Sequence, residues 1–174
     1  MILESDQKII KFFKDLIPYI IIIILVVLFR SFIMTPVEVE GKSMYSTLDN
    51  GEILILNKYN KNYKRFEVIV FKNNNDKLIK RIIGLPGDKV EYKDNKLYVN
   101  GKYIKEKFLK NNQTTFDFKL EDLGYKKIPE GYYFVLGDNR TNSTDSRIIG
   151  LINEKQISGK TKFRIFPFTK IGEF

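Results

Sequence analysis

One long apolar block opens the chain, and the rhythm then changes. Leu16 to Met34 reads Leu-Ile-Pro-Tyr-Ile-Ile-Ile-Ile-Ile-Leu-Val-Val-Leu-Phe-Arg-Ser-Phe-Ile-Met, 19 residues. As a helix these span about 28 Å, close to the roughly 30 Å hydrocarbon layer of a bilayer. Pro18 is tolerated in a first turn, Tyr19 suits the membrane interface, and Arg30 near the far end can snorkel to the headgroups. A cleaved leader needs a small-residue site after the apolar region, and Ser31-Phe32-Ile33-Met34-Thr35 offers none. A buried core helix is disfavoured because Ile20 to Phe29 is apolar on every side. The pattern therefore predicts a tail at 1–15, a permanent transmembrane anchor at 16–34 and a folded domain at 35–174. Lys8, Lys11 and Lys14 precede the anchor, and after Arg30 no basic residue follows until Lys42. That asymmetry puts the N-terminus in the cytoplasm and the folded domain on the outer face of the plasma membrane.

Past the anchor the period falls to two. Val37–Glu40, Ile53–Leu56, Glu67–Phe71, Lys77–Ile83, Val90–Tyr92, Lys96–Asn100, Tyr132–Leu136 and Lys162–Phe166 all read as short strands. Turn chemistry separates them at Asp49-Asn50-Gly51, Asn73 to Asp76, Pro86-Gly87-Asp88, Lys93-Asp94-Asn95 and Asn100-Gly101. Val90 to Val99 forms one hairpin, and Asn100-Gly101 turns into another through Tyr103-Ile104. Strands recurring about every ten residues predict a mostly β domain of packed antiparallel sheets or a barrel. Residues 105–127 are charged and weakly patterned, an excursion from the sheet core.

Composition changes this picture in two ways. The formal charge is +9, and the four basic and three acidic residues of 1–34 leave about +8 to the rest. Such a balance suits an anionic lipid surface or nucleic acid, and also a lysine-rich proteome. More decisive is what is missing: the chain has no histidine and no cysteine. That excludes Ser-His-Asp and Cys-His hydrolysis, zinc sites resting on His or Cys, and any disulfide framework. A hydroxyl activated by a lysine amine remains available.

Ser43 lies in Gly41-Lys42-Ser43-Met44-Tyr45-Ser46-Thr47-Leu48, and Lys80 opens Lys80-Arg81-Ile82-Ile83-Gly84-Leu85-Pro86-Gly87-Asp88. A serine hydroxyl needs a base within hydrogen-bond reach, and lysine, with a pKa near 10.4, serves only when desolvated. Bringing it to about 7–8 costs on the order of 4 kcal/mol. Leu78, Ile79, Ile82 and Ile83 surround Lys80 in sequence, and alternation sets it on the face of Leu78 and Ile82, pointing inward. A strand lysine is ordinarily solvated and a turn serine ordinarily structural, so neither residue is diagnostic alone.

Together with Gly137-Asp138-Asn139-Arg140-Thr141-Asn142-Ser143-Thr144-Asp145-Ser146-Arg147, these segments resemble the type I signal peptidases. Those are membrane-bound serine–lysine endopeptidases that remove signal peptides from exported proteins. The resemblance rests on Ser-Met-x-Pro-Thr-Leu, Lys-Arg-hydrophobic-hydrophobic-Gly-x-Pro-Gly-Asp and Gly-Asp-Asn-Arg-x-x-Ser-x-Asp-Ser-Arg. With the anchor in front, it covers nearly the whole chain. It implies the antiparallel sheets of the signal-peptidase and SOS-repressor type, with Ser43 as nucleophile, Lys80 as general base and Ser143 orienting the Lys80 amine. Asp138, Asp145, Arg81 and Arg147 would form ion pairs holding the 137–147 loop against the strand of Lys80. Val37, Val39, Met44, Leu48, Leu78 and Ile79 would line shallow pockets for small side chains at −1 and −3 of the cleavage site. The Ser43 amide would donate to the oxyanion. The partners implied are preprotein signal peptides and a phospholipid membrane, with no nucleic acid, cofactor or metal, and a monomeric chain. Two positions depart from the pattern. Ser46 stands where the family carries proline, and Gly41 stands where some members place a serine hydroxyl that completes the oxyanion hole. The rival functions are a membrane-tethered β-rich binding module for lipid or nucleic acid, and a serine–lysine autoprotease. Neither a partner domain for self-cleavage nor a reason for Ser43, Lys80 and Ser143 to occur together goes with them.

Overall fold

Pro36 marks the division of the chain into two units, residues 1–35 and 36–174. The computed structural model describes the backbone of 2–32, 34–109 and 113–174, and the side chains of 11–27, 35–109 and 113–174. In the first unit helix α1 (Ile2–Phe32) takes up Pro18 without interruption. Every described side chain of α1 is exposed, including those of Phe12, Phe13, Leu16, Ile17 and Ile20 to Val27. Among the described residues no helix is long and apolar enough to cross a membrane. The described side chains stop at Val27, inside the apolar run that continues to Met34, so Arg30 and the far end of the expected span lie outside them.

In the second unit β1 (Met34–Glu38), β2 (Ile53–Asn57), β3 (Val68–Asn73) and β4 (Asp76–Gly84) are followed by β5 (Val90–Lys93), β6 (Lys96–Val99), β7 (Lys102–Ile104) and β8 (Phe118–Lys119). Then come β9 (Tyr132–Leu136), the single-turn helix α2 (Ser146–Ile149), β10 (Ile152–Asn153), β11 (Ile157–Phe166) and β12 (Gly172–Glu173). The larger sheet runs β1-β2-β11-β3-β4-β9-β10, with β12 joined to β11, and the smaller runs β7-β6-β5-β8. The pairings of β2 to β12 are antiparallel, as the alternating pattern predicts. Both expected hairpins form: Asp94-Asn95 and Asn100-Gly101 take the positive φ that two-residue turns require.

Alternation also explains the core. On β3, Val68 and Val70 face one cluster with Leu54, Leu56 and Ile79, while Ile69 and Phe71 face another with Ile82, Tyr133 and Val135. On β9, Phe134 and Leu136 turn to a third cluster, where Val90, Tyr92, Leu97 and Val99 of the smaller sheet meet them. Both faces of β4 are therefore covered, and Lys80 is 2% exposed despite its charge. Strand β11 begins five residues earlier than its apolar run, at Ile157, and lies between β2 and β3. Its first half, Ile157-Ser158-Gly159-Lys160-Thr161, has no strand-like sequence pattern. Gly159 is required there, because a Cβ would meet the Asn57 carbonyl at 2.5 Å where the pairing of β11 with β3 crosses a bulge. The 105–127 excursion is tied into the smaller sheet through β8, which pairs with β5.

Candidate active site

The loop between β1 and β2 carries Ser43 and is braced at both ends. Val39 N donates to Glu52 O and Gly51 N to Val39 O, both at 2.8 Å, closing the loop at its base. Gly41, at φ +81°, donates its amide to Asn50 Oδ1 at 2.7 Å. That amide is thereby occupied, so Gly41 offers neither a side chain nor a free N–H to an oxyanion. The Ser43 amide bonds no acceptor among the described residues. Leu48 N and Thr47 N both donate to Met44 O at 2.9 Å, curling the chain after Ser43.

Asn139 holds the other side of this loop. Its amide donates to Ser43 O and its side-chain Nδ2 to Lys42 O, each at 3.0 Å. Nothing in the sequence distinguishes Asn139 from its neighbours beyond its place in the 137–147 segment. The close approach also needs Gly137, where a Cβ would run into the Ser43 carbonyl and the Ser143 hydroxyl.

Across from the loop, Lys80 Nζ donates to Ser43 Oγ at 2.7 Å and to the Ile79 carbonyl at 3.1 Å. Burial lowers the Lys80 pKa from 10.5 to about 8, against an upward pull from Asp145 and Asp138. Both carboxylates are spoken for. Asp138 accepts from Arg81 Nε at 2.9 Å and Nη2 at 2.6 Å, and Asp145 accepts from Arg147 Nε and Nη2 at 2.8 Å. Pairing each carboxylate with a guanidinium limits how strongly it can hold a proton on the lysine. Only Arg81–Asp138 joins the 137–147 loop to β4. Arg147–Asp145 lies within the loop, where Arg147 also donates to Arg140 O and Asp145 accepts from Gly137 N. Of the ion pairs expected to hold this loop against the lysine strand, Arg81–Asp138 does so, while Arg147–Asp145 braces the loop locally, with Asp145 as the cap of α2.

Ser143 sits beside Gly137, and its buried hydroxyl has no hydrogen-bond partner. The bond expected from Ser143 to Lys80 is not among those the amine makes. An open groove of about 500 Å³ runs past Ser43 and Lys80, walled by Val37 on one side and Leu78 and Ile79 on the other. Val39, Met44 and Leu48, expected in the same lining, are 1–2% exposed and pack with Leu54, Leu56, Val68, Val70 and Ile79. They belong to the core beneath the Ser43 loop and do not line the groove.

Arg140 is the largest contribution missed in the sequence. It is 1% exposed and donates to Gly137 O, Tyr92 Oη, Thr115 Oγ1 and Glu106, tying the 137–147 loop to the smaller sheet and the 105–127 excursion. A buried guanidinium of this kind is stable only with every donor engaged.

A serine hydroxyl held 2.7 Å from a desolvated lysine, in a groove open to a chain, is a peptidase arrangement. The family model described as signal peptidase, peptidase S26, matches residues 11–166. The chain belongs to that family. Signal peptidase I S of Bacillus subtilis is 44% identical over 161 residues, covering 87% of this chain and 88% of the relative. Signal peptidase IB of Staphylococcus aureus is 44% identical over 177 residues, covering 90% and 93%. A crystal structure of a signal peptidase I from Enterococcus faecalis aligns with TM-score 0.52 at 40% identity, covering 56% of this chain and 95% of that one. Signal peptidase membership accounts for the mostly β fold.

Proposed function

We propose that this chain is a membrane-anchored signal peptidase I that cleaves preproteins with Ser43 as nucleophile and Lys80 as general base. The 2.7 Å contact between Ser43 Oγ and a lysine with a pKa of about 8 carries this reading. Once the amine is neutral, the same contact reverses: the hydroxyl donates its proton to the Nζ lone pair as Oγ attacks the scissile carbonyl. The oxyanion forms beside the Ser43 amide, the free N–H in reach. The Lys80 ammonium then protonates the leaving amine, the C–N bond breaks, and an ester to Ser43 remains. Water next gives its proton to Lys80 and attacks the ester, and Ser43 recovers its proton on departure. Ser143, whose buried hydroxyl has no partner beside Gly137, would orient the amine once the ammonium forms.

Substrate choice follows from the walls. Val37, Leu78 and Ile79 offer apolar surface beside Ser43 and Lys80, so small uncharged residues at −1 and −3 fit best. A charged residue at −1 would be buried unpaired, and a bulky one would clash. The 16–34 segment acts as the anchor: each exposed Ile, Leu or Val of α1 would gain about 1.5–3 kcal/mol by leaving water, and a bilayer accepts all of its faces. The N-terminus lies in the cytoplasm and residues 36–174 on the outer face.

Detergent-solubilised protein incubated with a signal-peptide-bearing preprotein, followed by N-terminal sequencing of the product, tests this directly. Cleavage after Ala-x-Ala is expected, with Ala→Phe or Ala→Asp at −1 slowing it at least about a hundredfold, roughly 2.7 kcal/mol. Equal rates across small, bulky and acidic residues at −1 would refute the pocket.

A further inference from the structure

A peptide bond has two sides, and the groove of Val37, Leu78 and Ile79 accommodates one of them. A second cavity of about 400 Å³ borders the nucleophile loop and is lined by Lys42, Tyr45, Leu48, Asp49, Asn50 and Asn139. It shares no lining residue with the first groove. It nevertheless abuts Ser43: Lys42 precedes the nucleophile, Tyr45 follows two residues later, and Asn139 donates to the Ser43 carbonyl at 3.0 Å. Its floor is the buried Leu48, and half of the Tyr45 surface stands free at its wall.

Charge at this cavity is one-sided. Asp49 is neutralised by Lys170 Nζ at 2.8 Å, whereas the Lys42 ammonium makes no ion pair among the described residues. The first groove is bordered instead by Glu38, Glu40 and Asp76, with Lys77 and the buried Lys80 as its basic residues. A substrate threading past Ser43 thus leaves an acidic rim and meets a cationic one.

We infer that the second cavity is the leaving-group subsite, taking the first two residues of the released chain, favouring acidic or uncharged side chains and disfavouring lysine and arginine. The inference rests on the hydrolytic reading of Ser43 and Lys80 and extends it to residues beyond the cut. Contacts on this side act only until the amine departs, so they affect acylation and leave hydrolysis of the Ser43 ester untouched.

The full chain in detergent micelles would be assayed on peptides with Ala-x-Ala fixed before the bond and Asp, Gln, Leu or Lys at +1 and +2. The control is an ester of the same acyl segment with a methanol leaving group, which has nothing to place in the second cavity. Asp at +1 and +2 should exceed Lys in kcat/KM by roughly two- to fivefold in dilute buffer, shrinking towards unity in about 0.5 M salt. Lys42→Glu should invert that order, and Tyr45→Ala should lower the rate with Leu relative to Gln. Neither variant should change the wild-type rate on the ester, which also reports that each is folded. Equal rates for all four peptides, an order unmoved by Lys42→Glu, or an ester rate falling in step with the peptide rates would overturn the subsite. Failure to cleave both peptides and ester by wild-type protein would overturn the hydrolytic reading and the subsite with it.

Discussion

At the scale of the residue, Lys80 works against the fold that holds it. Its pKa of about 8 in the folded chain, against 10.5 when exposed, means that the unfolded state binds more protons between those values. Stability therefore rises with pH across that window, and below pH 8 the buried ammonium costs about 3 kcal/mol. Lys80→Met should abolish cleavage yet raise the unfolding midpoint at pH 7, the gain fading from about pH 8 and largely gone by pH 10.5; urea titrations at pH 7 and pH 10.5 check both signs. Activity runs the same way, rising from pH 6 through a midpoint near 8 as the amine becomes a base. A flat profile from pH 5 to 9 would be incompatible with a lysine base. Ser43→Ala and Lys80→Ala should each be inactive and no worse in combination, because the two act as one unit. Lys80→Arg should fail as well, since guanidinium keeps its proton.

At the scale of the element, a buried pair braces the site. Arg81 on β4 meets Asp138 just after β9 through two short bonds and lies over the Phe108 ring at 4.1 Å. With Arg140 bridging to the smaller sheet, these contacts fix the 137–147 loop against both sheets. Asp138→Asn keeps the shape and leaves a buried guanidinium half-paired, at a cost of about 2–4 kcal/mol. Cleavage should fall with it, because Asn139, the next residue, sets the Ser43 carbonyl. Denaturant unfolding and kcat/KM measured on the same preparation would show whether the two losses go together. A variant that unfolds earlier while cleaving normally would detach Asp138 from the site.

For the whole molecule, the proposed anchor at α1 sets where the chemistry would take place. A helix exposing Phe12, Phe13 and every apolar side chain from Leu16 to Val27 cannot remain in water as a monomer without a large penalty. Alkaline carbonate extraction should leave the protein in the membrane pellet. Protease added to intact cells or right-side-out vesicles should digest residues 36–174 and spare 1–15. Protection of the Ser43-bearing unit in that assay would reverse the orientation and remove the export role.

Local features are legible in the sequence by itself. The hairpin turns at Asp94-Asn95 and Asn100-Gly101, the apolar block up to Met34 and most strands depend on near neighbours, so their residues declare them. The family is legible too, since three motifs carry its resemblance, and the absence of histidine and cysteine narrows the candidate chemistry. Tertiary structure alone decided the partners. It brought Ser43 and Lys80 together across 37 positions, packed Val39, Met44 and Leu48 against Leu54, Val68 and Ile79, and joined Arg81 to Asp138. It also made Asn139 a clamp, Arg140 the tie between the sheets, and the polar half of β11 the middle of the larger one. Those outcomes depend on register and on which strands lie side by side. Contacts between residues far apart in sequence set both, and period and turn chemistry carry no record of such contacts.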